Sequence, residues 1–410
     1  MKVLLVNPKC NFLIDPMVFS PLGLWYVAAA VDAAGHEVSF IDLNEKEEVP
    51  FGYDAYLVTG TTPQFRSMAA IAERLGRGPI TIAGGPHASI APSDLQRAGY
   101  RWVVRGEGEQ VAVEILAGQH PEGTVNARRL EMWEIPHPLR RWQHKYHYTL
   151  DGVKASHALL SRGCPYKCAF CCHALWDKCM LMTTSWCRWE IERALSLTAK
   201  NPYGGVMFYD DTFTISKGRV RDIGKILQKH KAKWRCFGRS SDIDAEMANI
   251  LGEYGCVEVG LGIESGSDDI LHNVRKGTTV AQNTQAVVNL RQAGVRTKAF
   301  LVVGLPGENE DTAHETRQWI RQARPDEWDA TIFVPYPGSP IYEHPEKYDI
   351  QWDGMEASQM WYKGIPGKYV SLVSTSALSR QRIAELRDEL DAMKGEKHGR
   401  STTVARGAVP

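Results

Sequence analysis

Short apolar strands alternate with helical stretches along most of the 410-residue chain, and the alternation breaks once, between about residues 118 and 153. A strand–helix–strand run buries its apolar faces by laying the helix across a mostly parallel sheet, so two such runs predict an α/β fold in two units. In the first, strands are expected at Val3–Asn7, Glu37–Leu43, Ala55–Gly60, Ile80–Ala83 and Trp102–Arg105. Helices are expected at Leu22–Ala34, closed by Gly35 as a C-cap, and at Gln64–Arg77. This is the pattern of a doubly wound, Rossmann-like sheet. The turns TGTTPQ, GGPHAS and RGEGE follow its third, fourth and fifth strands, where open sheets bind ligands. Tight turns without a ligand would read the same way.

The second unit predicts strands at Ala158–Ser161, Val206–Tyr209, Trp234–Gly238, Val257–Leu261, Lys298–Val303 and Ala330–Val334, with helices between them. Six strands alternating with helices suit a partial (β/α)6 barrel, whose site would lie at the carboxyl ends of the strands. The stretch between the units, RRLEMWEIPHPLRRWQHKYHY, is basic and aromatic but short, and reads as interdomain packing rather than a nucleic-acid patch. An amphipathic helix is expected at Arg380–Met393, followed by a polar tail expected to be disordered. The plan is a first domain over 1–125, a linker over 126–153, a barrel over 154–345, a C-terminal helical segment over 346–394 and a tail over 395–410.

Charge and hydropathy narrow the function classes. Lys plus Arg equals Asp plus Glu at 48 each, which gives no electrostatic reason to expect nucleic acid or an anionic membrane as partner. No apolar run approaches the roughly 20 residues of a membrane span, and Val3–Val6 is too short for a signal-peptide core, so a cytoplasmic location is expected. Of nine cysteines, Cys164, Cys168, Cys171, Cys172 and Cys179 fall within sixteen residues. Such crowding in a reducing compartment points to metal or redox chemistry rather than disulfides.

The centre of that cluster is CPYKCAFC, a C-x3-C-x2-C spacing through Cys164, Cys168 and Cys171 just after a strand. Three thiolates on one loop can hold three irons of a cubane [4Fe–4S] cluster and leave the fourth iron open for chemistry. A zinc site is the alternative, with Cys172, His173 or Cys179 as fourth ligand. Zinc requires neither this spacing nor an aromatic residue, here Phe170, before the last cysteine. Cys10, Cys187, Cys236 and Cys256 are scattered and expected to be ordinary buried small residues.

Residues 1 to about 345 resemble the radical S-adenosylmethionine (SAM) enzymes that carry an N-terminal cobalamin-binding domain. Before the cysteines the resemblance rests on VLLVNP, SPLGLWYVAAAVDAAGHEVSFIDL, TTPQF, GGPH and VRGEGE; after them, on FYDDTF, WRCFGRSSDID, GLGIESGS, VVGLPGE and FVPYPGSPIY. It implies a [4Fe–4S] cluster whose open iron chelates the amino and carboxylate groups of SAM, and reductive cleavage of SAM to a 5′-deoxyadenosyl radical. It places Phe170 beside the adenine and Asp210 and Asp211 near the SAM ammonium, one of them also suited to cap the next helix. Arg239 would grip the SAM carboxylate. Glu264, Ser265, Gly304 and Val334 would complete the SAM contacts, and Tyr336 would face the substrate.

Cobalamin, by the same resemblance, would lie against Thr61, Thr62, Gln64, Phe65, Gly84, Gly85, His87 and Glu107. The D-x-H-x-x-G motif that supplies a histidine to cobalt is absent, and His36 and His87 lie outside that context. The implied activity is methylation of an unactivated carbon, or of phosphorus, in a small-molecule or natural-product substrate, with flavodoxin or ferredoxin as external reductant. Cyclisation, ring contraction or oxidation on the same architecture is the alternative. A cobalamin- or cluster-binding sensor without turnover is a third reading, against which the SAM-contact motifs argue. The region from Trp352 to Ser376, with Trp361 and Tyr362, is expected to help close the pocket.

Overall fold

The computed structural model describes residues 1–352 apart from 11, 12, 14, 47, 173–175, 177 and 197–202, together with residues 370–396. His173, Trp361, Tyr362 and the tail from 397 therefore lie outside the described residues.

The first unit is a six-stranded sheet of β1 (Lys2–Asn7), β2 (Glu37–Asp42), β3 (Ala55–Thr59), β4 (Ile80–Gly84), β5 (Trp102–Arg105) and β6 (Gly123–Asn126), in the order β2-β1-β3-β4-β5-β6. Every pairing in it is parallel. Its helices are α1 (Leu22–Ala33), α2 (Phe65–Leu75), α3 (Gly85–Ile90), α4 (Pro92–Arg97) and α5 (Gly108–Leu116). Alternate strand residues bury into two cores: Val3, Leu5 and Leu57 meet α1 and α5, whereas Leu4, Val6 and Val58 meet α2 and α4. Winding on both faces and the 2-1-3 strand order place a crevice at the carboxyl ends of β1 and β3. Sequence reading missed β6, because of its four residues only Val125 is buried and no apolar run announces it.

The second unit contains β7 (Thr149–Leu150), β8 (Val153–Ala158), β9 (Ser161–Arg162), β10 (Met180–Leu181), α6 (Thr184–Leu195), β11 (Gly205–Phe208), α7 (Lys217–Lys229), β12 (Lys233–Gly238) and α8 (Ala245–Glu253). It continues with β13 (Cys256–Glu264), α9 (Asp268–Asn273), α10 (Val280–Gln292), β14 (Arg296–Val303), α11 (Glu310–Ala323) and β15 (Glu327–Ile332). Six parallel strands run β15-β14-β13-β12-β11-β8, with β7 antiparallel on the far edge. The first barrel strand lies earlier than Ala158–Ser161. Its apolar signature is hidden because Ser156 and His157 are buried polar residues, the Ser156 hydroxyl accepting from Arg140 (3.2 Å) and His157 Nδ1 meeting the Ser20 hydroxyl (3.0 Å). Short α12 (Pro340–Glu343) and a ribbon of β16 (Gln351–Trp352) and β17 (Val373–Ser374) follow. Helix α13 (Arg380–Ala392) covers the β15 edge, with Arg387 Nε donating to the Ala330 carbonyl (3.1 Å).

The two units share packing. Helix α1 gives Leu24 and Ala28 to the sheet core and Leu22, Trp25 and Tyr26 to the barrel core. The basic, aromatic stretch fills the seam: Tyr146 meets Trp25 edge-on (5.6 Å between ring centroids), Trp142 meets Phe40 (5.1 Å), and Leu139 N–H donates to the Trp25 carbonyl. Losing a ring such as Trp25 costs ~3–5 kcal/mol, so this seam resists separation. Among the described residues no helix is long and apolar enough to cross a membrane.

Candidate active site

The loop that carries the cysteines leaves the end of β9. Gly163 opens it at φ +87°, where a Cβ would sit 2.5 Å from the Lys178 carbonyl, so the turn requires glycine. Cys164, Cys168 and Cys171 all line one cavity of about 690 Å³ in the barrel mouth. The Cys168 thiol is pushed down to about 6 by a hydrogen bond from Cys171 and by the Lys276 and Arg239 cations, against its burial. Arg239 Nη1 stands 3.6 Å from Cys168 Sγ. Among the described residues no three or more His, Cys, Asp or Glu side chains converge to hold a single metal ion. A cubane asks for no such convergence, since each thiolate binds a different iron. Three thiols on one loop beside two cations fit that donor set. Cys172 instead donates to the Pro337 carbonyl (3.2 Å), and Cys10, Cys187, Cys236 and Cys256 are buried.

The residues expected around SAM separate into two groups. Asp211, Arg239, Glu264 and Phe170 line the cysteine cavity. Burial pushes the Asp211 carboxyl up, opposed by the Gly163 N–H. Arg239 lies 4.0 Å over the Tyr166 ring, which holds its fork in place. Glu264 adopts a left-handed backbone (φ +64°) at a bulge in β13 and pairs with Lys276 Nζ at 2.7 Å. A Cβ at Gly262 would stand 2.5 Å from Glu264 Oε1 and 2.8 Å from Lys276 Nζ, so a side chain there would displace the pair.

The other group is engaged elsewhere, although Asp210 also borders the cysteine cavity. Asp210, 1% exposed, accepts from Leu160 N–H (3.0 Å) and the Ser161 hydroxyl, and burial pushes it up to about 6. Neither aspartate caps a helix: Thr212 precedes the next turn, and the Ser216 hydroxyl caps α7. Ser265 turns from the cavity, its hydroxyl meeting Thr316 and accepting from Ser267 N–H, both at 3.2 Å. Gly304 (φ +87°) presents its missing side chain to Ile383 of α13. Val334 and Tyr336 line a second cavity instead, and burial pushes Tyr336 up to about 12. Lys276 was missed, and no motif or spacing ties it to Glu264.

That second cavity, about 420 Å³, lies between the units. Thr61, Thr62 and Pro86 enter from the first, and Phe170, Cys172 and Val334 from the second. A cleft of about 220 Å³ at the carboxyl edge of the first sheet includes Gly84, Gly85 and Glu107. Gly85 sits at φ +88°, where a Cβ would overlap Thr59 Oγ1. The largely apolar, glycine-floored lining would hold part of a ligand chiefly by shape, with the remainder in the adjoining interdomain cavity. Gln64 lies behind this surface, accepting from Thr61 N–H and donating to the Pro8 carbonyl, both at 3.0 Å. His87 does too: it is 2% exposed, faces Thr62 through Nδ1 (3.3 Å), and its ring lies 4.8 Å from Phe65. Neither lines a cavity named above, so the lower face of a corrin is offered threonine, proline and backbone rather than imidazole. Glu107 is engaged by Arg162 and Trp176.

The Radical SAM superfamily model matches residues 159–320 and the B12 binding domain model matches residues 16–116. The chain is 28% identical over 386 residues to an uncharacterized methyltransferase of Pyrococcus horikoshii, covering 84% of this chain and 83% of that protein. It is 24% identical over 355 residues to the anaerobic magnesium-protoporphyrin IX monomethyl ester cyclase of Cereibacter sphaeroides, covering 78% of this chain and 56% of that protein. Its fold matches the radical SAM methyltransferase TsrM of Kitasatospora setae, solved with cobalamin and a [4Fe–4S] cluster, at a TM-score of 0.68 and 17% identity over 87% of this chain and 82% of that one. The two domains define a radical SAM enzyme. With the B12-binding domain ahead of the barrel, the chain belongs to the cobalamin-dependent radical SAM family, whose cofactors are a [4Fe–4S] cluster, SAM and cobalamin.

Proposed function

We propose that this enzyme is a cobalamin-dependent radical SAM methyltransferase acting on a small-molecule substrate in the cytoplasm, with a flavodoxin or ferredoxin as electron donor. One observation carries the reading: the three cavities share walls. Pro86 borders both the first-sheet cleft and the interdomain cavity, while Phe170 and Cys172 border both the interdomain cavity and the cysteine cavity. A corrin in the first domain and SAM at the cysteines would thus open on one space. When bound, the cluster supplies an electron for SAM cleavage and cobalamin carries the methyl group.

The chain's own residues bind and orient. Asp211 accepts from the SAM ammonium, Arg239 holds its carboxylate, and the Glu264–Lys276 pair lies where the ribose hydroxyls need partners. Phe170 flanks the adenine, and Tyr336 faces the substrate across the interdomain cavity. The mostly apolar lining of that cavity limits the water that reaches the reacting carbon. Non-methylating chemistry on the same frame is the second reading, favoured by the match to a protein named as a cyclase. Product analysis separates them. Methyl transfer yields S-adenosylhomocysteine alongside 5′-deoxyadenosine, and 5′-deoxyadenosine alone supports the second reading. Corrin that fails to co-purify after anaerobic reconstitution would sink the methyltransferase assignment. Replacing Cys164, Cys168 and Cys171 by alanine should abolish the iron–sulfur absorbance while leaving the corrin band.

A further inference from the structure

Glu107 stands in the turn between β5 and α5 of the B12-binding domain, yet its carboxylate serves the other domain. It is 6% exposed and takes three hydrogen bonds from outside its own sheet. Leu130 N–H donates at 2.5 Å, Arg162 Nη1 at 2.9 Å and Trp176 Nε1 at 3.1 Å. Arg162 closes β9 two residues before Cys164, and Trp176 lies beyond Cys171 and Cys172 on the return of the loop. One carboxylate therefore grips the cysteine loop at both ends. Arg162 is held further by Glu109 (2.6 Å) and by the Tyr26 ring beneath its guanidinium (5.0 Å).

These groups also form the wall of the first-sheet cleft, which is bordered by Tyr26, Glu107, Glu109, Arg162 and Trp176. Trp176 borders the cysteine cavity as well. A ligand that fills the cleft presses on the same side chains that set the loop, and the cleft and the cysteines are two sites on one shared element.

We infer that Glu107 is a positioning residue: it latches the cluster loop to the B12-binding domain, so that cobalamin in the cleft steadies the cluster and the cluster tightens cobalamin. The coupling between the two cofactors rests on the proposed function; the latch on the loop does not. Binding linkage makes the equilibrium coupling reciprocal; the rate of iron loss reports its direction, and cobalamin affinity with and without the cluster reports its size. Glu107→Gln keeps the size of the side chain and leaves Arg162 paired with Glu109, so no cation is stranded. Trp176→Phe removes one donor and keeps the ring.

The test uses the full chain, wild type and both variants, reconstituted anaerobically with iron and sulfide, with and without hydroxocobalamin. The rate at which a chelator strips iron is measured in each state, as is hydroxocobalamin affinity with the cluster intact and removed. In the wild type, cobalamin is expected to slow iron loss by about tenfold. In both variants that ratio falls toward one, and iron loss without cobalamin quickens. The inference is overturned if the ratio and the cobalamin-free rate stay at wild-type values. It is equally overturned if Glu107→Gln weakens cobalamin to the same degree with and without the cluster, since Glu107 is then only a cofactor contact. A wild type that takes up no corrin sinks the proposed function, and the cobalamin-free rates still decide the latch. Loss of melting temperature with an unchanged ratio marks a packing role and counts against it.

Discussion

Glu308 gives a direct test of the electrostatics at the barrel mouth. Its carboxyl is 2% exposed, and burial pushes it up to about 7 from 4.5, opposed by the N–H groups of Gly304 and Leu305. The unfolded chain thus releases this proton near pH 4.5 and the fold near pH 7. Between those values the fold binds more protons than the unfolded chain, so stability falls as pH rises. The contribution is fully present below about pH 4.5 and is lost through about pH 7. At about 1.4 kcal/mol per unit, the swing is about 3 kcal/mol, of which about 2.5 falls between roughly pH 5 and 8. Glu308→Gln removes the titration but leaves a buried amide NH2 needing an acceptor, a cost of about 1–3 kcal/mol at every pH. The variant should therefore be less stable than wild type near pH 5 and level with it or above it near pH 8. Urea midpoints followed by tryptophan fluorescence across that range measure the difference. Asp210, pushed up to about 6 by burial, and His157, pushed down to about 3 chiefly by burial and also by Arg140 and Arg235, titrate in both proteins and cancel. Parallel pH curves for the two proteins would refute the argument, because Glu308 would then be ionised inside the fold.

Three further outcomes are expected. Gly85→Ala places a Cβ against Thr59 and forces a side chain into φ +88°, costing ~1–2 kcal/mol; it should lose cobalamin on gel filtration while the iron–sulfur absorbance stays, and full corrin retention would contradict it. Glu190→Ala strands the buried Arg140 guanidinium, whose other partners are Gln143, Ser156 and the His157 carbonyl. It should cost ~3–5 kcal/mol, and an unchanged unfolding midpoint would count against the pair. Arg239→Ala should weaken SAM by about tenfold or more in calorimetry on cluster-loaded protein, and an unchanged affinity would remove Arg239 from the SAM site.

Much of the architecture was legible because its signals are local. Strand periodicity marked five strands of the first sheet, and Gly35, at φ +85° after α1, ends that helix as expected. The failures have a common cause. The first barrel strand lies earlier than expected because two of its buried residues, Ser156 on one face and His157 on the other, are polar, and β6 carries no signal because it buries almost nothing. A barrel interior that pairs Arg235 with Glu258 (3.1 Å) and Lys298 with Asp329 (3.1 Å) likewise breaks the rule that inward means apolar.

The sequence by itself determined the two α/β units, the order of their strands along the chain and the thiol spacing on a loop after a strand. These follow from bonds and periodicities within a few residues. Only the tertiary structure decided which polar side chains remain to meet a cofactor. Asp210 is claimed by Leu160 and Ser161, Ser265 by Thr316, and Glu107 by Arg162, partners 49 to 55 residues away in the chain. Lys276 joins the site because the chain returns it to Glu264 after a further helix. A buried polar group must find a partner, and the nearest partner in space is set by how strands and helices stack, not by their order.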